Sequence, residues 1–376
     1  MPGASRCSRA AARVCKTART HNLRKEDTVR FYTEPHQRYC GIDLHARSMY
    51  VCILDSHGRT LLHRDMKSEP TAFLRAIAPY RKSLVVGAEC TLCWYWLADL
   101  CAKEDIPFVL GHALYMRAVH GAKAKNDRID SHKIAALLCG HLFPLAYVYP
   151  AQMRATRDLL RRRLHFVRQR GQLLAHIQIV HHQYNRVAPG RKIGWAANRK
   201  GLDAAFSDPS IAQTITADLA LVDRYDDVIA ELELRALRDA RGHDNDSFES
   251  LKSIPGVGRV LALTILYEIH DIDRFPSVQQ FASYSRLIRC QQSSAGKTLG
   301  TGGAKIGNAH LKWAFSEAAV LFLAKCPEGK RLQARLERKH GKGKTLSILA
   351  HRLGRAAYFM LKNKVAFDRD KFLRSA

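Results

Sequence analysis

Residues 39–55 read Tyr-Cys-Gly-Ile-Asp-Leu-His-Ala-Arg-Ser-Met-Tyr-Val-Cys-Ile-Leu-Asp. Two β-rich runs, Tyr39 to Leu44 and Ser48 to Asp55, lead through the Ser56-His57-Gly58 turn to a third run, Thr60 to Arg64. β-branched and aromatic residues bounded by turn residues predict a meander of three strands. Asp43 interrupts the first of them, and a carboxylate in a hydrophobic strand costs free energy unless it is paired or coordinated.

Downstream the pattern predicts a helix over about 70–79, a strand from Ser83 to Glu89, a helix over about 92–103, a strand from Pro107 to Leu110 and a helix opened by Asp130. Strands first in hairpins and then alternating with helices give a mixed α/β sheet. Acidic residues recur at its edges: Asp43, then Glu89 at the end of the fourth strand, then Asp127 and Asp130. The last two precede an apolar run (Ile129, Ile134, Leu137, Leu138), so the helical period puts both on one face. Metal ligation and simple helix capping, which also favours Asp at a helix start, are both open on spacing alone. If such carboxylates converge they repel one another, and Mg²⁺ or Mn²⁺ is the usual remedy.

Sixty-one Lys and Arg against 34 Asp and Glu give the 376-residue chain a formal charge of +27. The expected partner is nucleic acid. An anionic membrane is the alternative, but no run of 18 apolar residues exists to span one. Ten scattered cysteines, several inside apolar runs, fit a reduced cytoplasmic protein better than a disulfide scaffold. Cys90 and Cys93 form a C-x-x-C, for which a second ligand pair at ribbon spacing is missing. Residues 1–38, rich in Arg, Ser, Thr and Ala, read as a disordered basic extension rather than a signal peptide.

After the α/β region, expected to span 39–149, residues 150–245 predict a helical arm. Leu160, Leu164, Val167, Leu174 and Ile177 form one seam, and Val222, Tyr225, Ile229, Leu232 and Ala236 a second, separated by a Gly/Pro-containing insert. This suggests an antiparallel coiled coil used for dimerisation. Arg154, Arg157, Arg161, Arg162, Arg163, Arg168 and Arg170 fill the other faces of the first seam; lacking a matching set of nearby acids, they are expected to track phosphates. The remainder, 246–376, is expected to be mainly helical. Pro255-Gly256-Val257-Gly258 looks like the turn of a helix-hairpin-helix, with Gly256 and Gly258 bringing backbone amides to a phosphate. Farther on, Ser293-Ser294 sits among small residues, near Arg289, Lys297 and Lys305. A serine nucleophile needs a base or a metal, and cations such as these stabilise charge on a reacting phosphate.

The Gly-Ile-Asp strand start, the Gly-Ala-Glu strand end and the Lys-x-Asp-x-x-Asp helix start resemble, in order and approximate separation, the D-E-D-D set of the RuvC-like domain of IS110-family transposases. Ser293-Ser294, Lys305, Gly307 and Asn308 match that family's serine segment, with Ser293 twelve residues before Lys305. The resemblance implies a ribonuclease H-like fold in which Asp43, Glu89, Asp127 and Asp130 hold Mg²⁺ or Mn²⁺. It also implies a DNA recombinase whose nucleophile is Ser293, with Ser294 the runner-up, and a serine-bound DNA intermediate. A structured non-coding RNA bridging donor and target DNA, a homo-oligomer (dimer or tetramer) and a nucleoid-associated, cytoplasmic location follow from it. Two other readings stay open: a two-metal endonuclease using the four acids alone, and a nucleic-acid-binding remnant without activity.

Overall fold

The computed structural model describes residues 29–119, 126–187, 189, 191–240, 244–288, 290–294, 297–302 and 306–374. Expected disorder over the first 28 residues, and the candidates Arg289 and Lys305, lie outside the described residues. Strand β1 (Phe31–Tyr32) precedes β2 (Arg38–Leu44), β3 (Ser48–Asp55) and β4 (Thr60–Lys67), the predicted meander. Then come α1 (Pro70–Ile77), β5 (Leu84–Glu89), α2 (Trp94–Lys103), β6 (Phe108–Gly111), α3 (Ala113–Val119), α4 (Asp127–Cys139) and β7 (Phe143–Pro144). β1 pairs with β7, Phe31 opposite Pro144, so the extension expected to reach residue 38 gives way to ordered pairing at residue 31.

The main sheet has the order β4-β3-β2-β5-β6; β2 runs antiparallel to β3 and parallel to β5. Strand alternation divides its two faces. Cys40, Ile42 and Leu44 of β2, with Leu84, Val86 and Ala88 of β5, pack against Phe73, Ile77, Leu97 and Cys101 of α1 and α2. The opposite face, carrying Tyr39 and Val85, packs against Ile134, Leu137 and Leu138 of α4. Gly41 lies on that face because α4 crosses there at backbone distance: a Cβ at Gly41 would stand 2.2 Å from the Ala135 nitrogen and 2.4 Å from the Ser131 carbonyl. By the same alternation Asp43 and Glu89 belong to the α4 face.

Helices α5 (Ala151–Gln183) and α6 (Pro209–Ala240) form an antiparallel pair. Leu160, Leu164 and Ile177 of the first seam and Val222, Ile229 and Ala236 of the second are buried, whereas Val167, Leu174, Tyr225 and Leu232 are only half-buried. At the distal end Ile193 and Phe206 of the intervening segment close a small core with Ile177, Val180 and Ile215.

The chain then folds as α7 (Asn245–Lys252), α8 (Arg259–Ile269), α9 (Val278–Tyr284), β8 (Cys290–Ser294), β9 (Lys297–Gly302), α10 (Ala309–Lys325), α11 (Pro327–His340), α12 (Lys342–Asn363) and α13 (Arg369–Arg374). α8 is buried from Leu261 to Ile269 and lies in the largest core, packed against α10, α7 and the arm helices α5 and α6. The serine segment, which its small residues suggest is a flexible loop, is instead an antiparallel hairpin. Ser293 stands opposite Thr298 and Ser294 opposite Lys297, with an irregular register between Gln292 and Ser293.

Candidate active site

Asp43 occupies the α4 face near the carboxyl end of β2. The parallel register continues Ile42 against Ala88, which sets Glu89 beside it on β5. The carboxyl ends of parallel strands are where open α/β sheets place their ligands. Asp127 begins α4 one helical turn before Ser131, the residue seated on Gly41, so the tight glycine crossing carries its carboxylate to Asp43. Capping does not account for Asp127: the cap is Asn126, whose side chain accepts from the Ile129 amide at 2.8 Å.

Between the two aspartates stands His45, a residue that the sequence reading passed over. Its Nε2 lies 3.5 Å from an oxygen of Asp43 and 3.5 Å from one of Asp127. Ligand atoms of Asp43, His45 and Asp127 all fall within 4.8 Å of one another, the sole such His/Cys/Asp/Glu cluster among the described residues. The i, i+2 spacing from Asp43 was the signal available, since it returns a side chain to the same strand face. Burial pushes the Asp43 carboxyl up from its ordinary range; the His45 imidazole pulls it back, and the charges of Asp127 and Asp130 push it up again. Asp130, one turn along α4, is engaged by Lys133 at 3.2 Å. The carboxylates of partly buried Asp43 and exposed Asp127 offer oxygen donors of the kind that Mg²⁺ and Mn²⁺ select, whereas Glu89 and Asp130 stand outside the cluster. No third ligand joins Cys90 and Cys93 among the described residues.

The hairpin bearing Ser293 is rooted with unusual completeness. At its exit Gly307 adopts φ +90°, and a Cβ there would meet the Tyr284 carbonyl at 2.5 Å. The next residue, Asn308, donates its amide to the same carbonyl at 2.5 Å. Its side-chain oxygen caps α10, accepting from His310 and Leu311 at 2.9 and 3.1 Å, and its Nδ2 donates to Glu268 at 2.7 Å. At the entry, Arg286 Nε donates to the Ile306 carbonyl at 3.0 Å.

Glu268, 2% exposed, is the one acidic residue of the mostly apolar helix α8. It accepts from Arg157 Nε at 3.0 Å and from Arg161 Nε and Nη2 at 2.6 and 2.9 Å. Arg157 and Arg161, expected on a phosphate-tracking face, are therefore committed to an interior carboxylate. The same holds along the arm: Arg154 pairs with Asp99, Arg163 with Glu233 and Arg170 with Asp226. Matching acids exist, but they sit on other elements. Arg162 and Arg168 remain exposed, as does Lys297. In the α7–α8 turn Gly256 packs onto the α10 backbone, where a Cβ would meet Leu321 at 2.5 Å, while Gly258 is exposed at the N-terminus of α8.

Burial alone would raise the Glu268 carboxyl, but the Arg161 hydrogen bond, the charges of Arg157 and Arg161 and the Asn308 amide outweigh it and bring it down to about 2 from an ordinary 4.5. A depressed folded-state pKa contributes stability that is complete above the unfolded value and lost as pH falls through the folded one. Acid titration followed by circular dichroism is thus expected to show a loss between about pH 4.5 and 2 that Glu268→Gln lacks. The size of this contribution is roughly 3 kcal/mol.

A cleft of about 640 Å³ separates the sheet from the hairpin root. Cys90 and His112, the residues directly after β5 and β6, line it together with Ser283, Arg286, Ile306 and Gly307, and Arg157, Arg161 and Arg274 also face it. Two of its lining tyrosines are tied to the end of α8: Tyr149 Oη donates to the Glu268 carbonyl at 2.7 Å, and Tyr147 Oη meets His270 Nδ1 at 2.5 Å.

Comparison with known proteins agrees with this arrangement. Residues 40–185, which contain all four acids, match a transposase family model for the IS110 DEDD domain, and residues 249–334, which contain the hairpin and Glu268, match that of the transposase IS116/IS110/IS902 family. The chain belongs to the IS110 family of transposases. Similar to this transposase are the transposase for insertion sequence element IS1111A of Coxiella burnetii, 24% identical over 72% of this chain and 74% of its own, and a probable family 20 transposase of Pseudomonas aeruginosa, 24% identical over 72% of this chain and 80% of its own. A putative transposase of Sinorhizobium fredii is 27% identical over 64% of this chain and 59% of its own. As a transposase it is an enzyme that cuts and joins DNA, and the DEDD domain suggests use of a divalent metal. No helix among the described residues is long and apolar enough to cross a membrane.

Proposed function

We propose that this transposase breaks and rejoins DNA by transesterification at Ser293, with Ser294 as the alternative nucleophile. The serine oxygen attacks a backbone phosphorus and gives up its proton; one phosphodiester bond is exchanged for an ester to the enzyme, and the departing strand oxygen takes a proton. A hydroxyl from the second DNA then reverses the exchange and restores the serine. Asp43 and Glu89 on the ribonuclease H-like sheet, with Asp127 and Asp130 on α4, would hold Mg²⁺ or Mn²⁺. When bound, the ion stabilises the negative charge that develops on the phosphate. Asp43 and Asp127 meet at His45, so their side chains are already oriented toward one point.

The observation that carries the reading is the shared cleft. One of its sides begins at Cys90, directly after Glu89, and another at Arg286 and Ile306, where the serine hairpin leaves and rejoins the C-terminal helices. A strand lying in the cleft passes from Cys90, next to Glu89, to the hairpin root at Arg286 and Ile306. Arg162 and Arg168 on α5, Lys297 on β9 and Gly258 at a helix-hairpin-helix turn serve as backbone contacts, and Arg289 and Lys305 are further candidates from the sequence. The exposed row Lys330, Arg331, Arg335 and Arg338 on α11 offers a further cationic surface, which suits a structured RNA that bridges donor and target DNA. Exposed apolar residues on the arm, Ile179, Leu221 and Leu234 among them, favour association of copies through it as a coiled coil.

The test uses labelled donor and target DNA with RNA transcribed from the sequence flanking the gene, and Mg²⁺. A covalent protein–DNA adduct, mapped by mass spectrometry to the peptide containing residues 290–294, is the expected result. Cleavage with no adduct overturns the serine reading and leaves hydrolysis by the four acids; the absence of any cleavage makes the chain a nucleic-acid-binding remnant.

A further inference from the structure

Glu268 has no part in the chemistry described above, yet it is the most elaborately held carboxylate among the described residues. It faces both Arg157 and Arg161 of α5 and Asn308 at the exit of the serine hairpin. Burying an ion is costly, and the cost is offset only when its partners are complete. Here they are: two guanidinium groups and a side-chain amide converge on two carboxylate oxygens, and Arg157 in turn lies 3.7 Å over the Tyr149 ring. Asn308 is equally saturated, spending its oxygen on the α10 cap, its amide on Tyr284 and its Nδ2 on Glu268. Fixing the helix cap alone requires only the oxygen. The Nδ2 bond adds a separate tie, from the hairpin root through Glu268 to the arm.

We propose that Glu268 and Asn308 are positioning residues for Ser293, a clamp that locks the root of the β8–β9 hairpin to α5 and so transmits the setting of the arm to the nucleophile. The hairpin pairs with no other strand of the described chain, since β8 and β9 form a two-stranded sheet of their own. Its direction is therefore set at its roots. Exit and entry are joined to each other through Asn308 to Tyr284 and through Arg286 to Ile306, and Tyr284 Oη also meets Tyr149 Oη at 3.1 Å. The Glu268 bond connects the exit to α8 and, through Arg157 and Arg161, to α5 of the arm. A shift of α5 moves Arg157 and Arg161, these move Glu268, and Asn308 follows.

This inference rests on the serine reading above, and its test separates the two. Asn308→Ser keeps a helix-capping hydroxyl, for Ser caps as well as Asn, and removes the Nδ2 donor that serves Glu268 at 2.7 Å and, more weakly, Tyr284 Oη at 3.5 Å. In single-turnover reactions its rate of adduct formation is expected to fall by about 10²-fold, the effect of roughly ångström misplacement of a reacting group, while the DNA concentration for half-maximal rate changes less than about threefold. Amide hydrogen exchange is expected to quicken in residues 290–294 and 297–302 with the melting temperature near that of the wild type. Glu268→Gln, which removes the charge that holds the two arginines, is the second variant and is expected to quicken exchange in the same strands. A wild-type rate in Asn308→Ser, or a loss explained by weaker DNA binding, overturns the clamp. So does unchanged hairpin exchange in both variants, a readout that stands even if the wild type forms no adduct and the serine reading itself fails.

Discussion

Ser293→Ala is expected to abolish adduct formation and strand exchange, with losses on the order of 10⁴-fold or more, the scale seen when a covalent nucleophile is removed. The substitution deletes one oxygen from a hairpin strand and leaves its backbone pairing with Thr298 in place, so DNA binding and folding should be retained. The measurement is donor–target joining alongside DNA affinity in the same preparation. Retention of joining within tenfold of wild type would sink Ser293 as nucleophile; the same experiment on Ser294→Ala then decides between the neighbours. Ser293→Cys is informative in the other direction. A thiolate is a strong nucleophile but a poor match for a phosphate site arranged for oxygen, so slow adduct formation with little rejoining is the expected outcome.

Asp127→Ala is the second large effect. Asp127 supplies one of the two carboxylates that meet at His45, and a metal's electrophilic contribution is worth several kcal/mol. At 1.36 kcal/mol per tenfold, the expected loss in DNA cleavage is about 10³-fold. Helix α4 itself should survive, because its cap is supplied by Asn126 and an exposed acid in the first turn contributes only about 0.3 to 1 kcal/mol. Calorimetric titration with Mn²⁺ provides the independent readout: tight binding in the wild type and its loss in the variant. Equal Mn²⁺ affinity in both proteins would remove Asp127 from the metal site, whatever the activity.

Much of this site can be read from the chain, because the relevant physics is local. Gly41 and Asp43 are two residues apart on one strand, so they share a face whatever lies opposite. Glu89 ends a strand predicted to within one residue, and the Asp127–Asp130 pair belongs to one helix turn. The serine hairpin was less legible. Its glycines and serines carry no strong strand preference, and pairing between β8 and β9 compensates for what propensity lacks.

The arginines of the arm show where local reading fails. Within residues 150–185 they outnumber nearby acids, and a run of unpaired cations points to phosphate. Their partners, Asp226, Glu233 and Glu268, come from α6 and α8 and lie 56, 70 and 107 or more residues away in the chain. No local pattern encodes such pairs. Glu268 did leave a trace, as the lone acid in the apolar run from Val260 to Ile269, where an unpaired charge would be costly.

By itself, then, the sequence determined the α/β order of the N-terminal sheet and the two long helices of the arm, since each depends on periodicity or on residues a few positions apart. Tertiary structure alone decided that His45 joins Asp43 and Asp127, that Gly256 packs on a helix rather than meeting solvent, and that Arg157 and Arg161 turn inward to Glu268. Those outcomes depend on which surfaces meet across long stretches of chain. A buried charge accepts whichever partner the fold brings within hydrogen-bond reach.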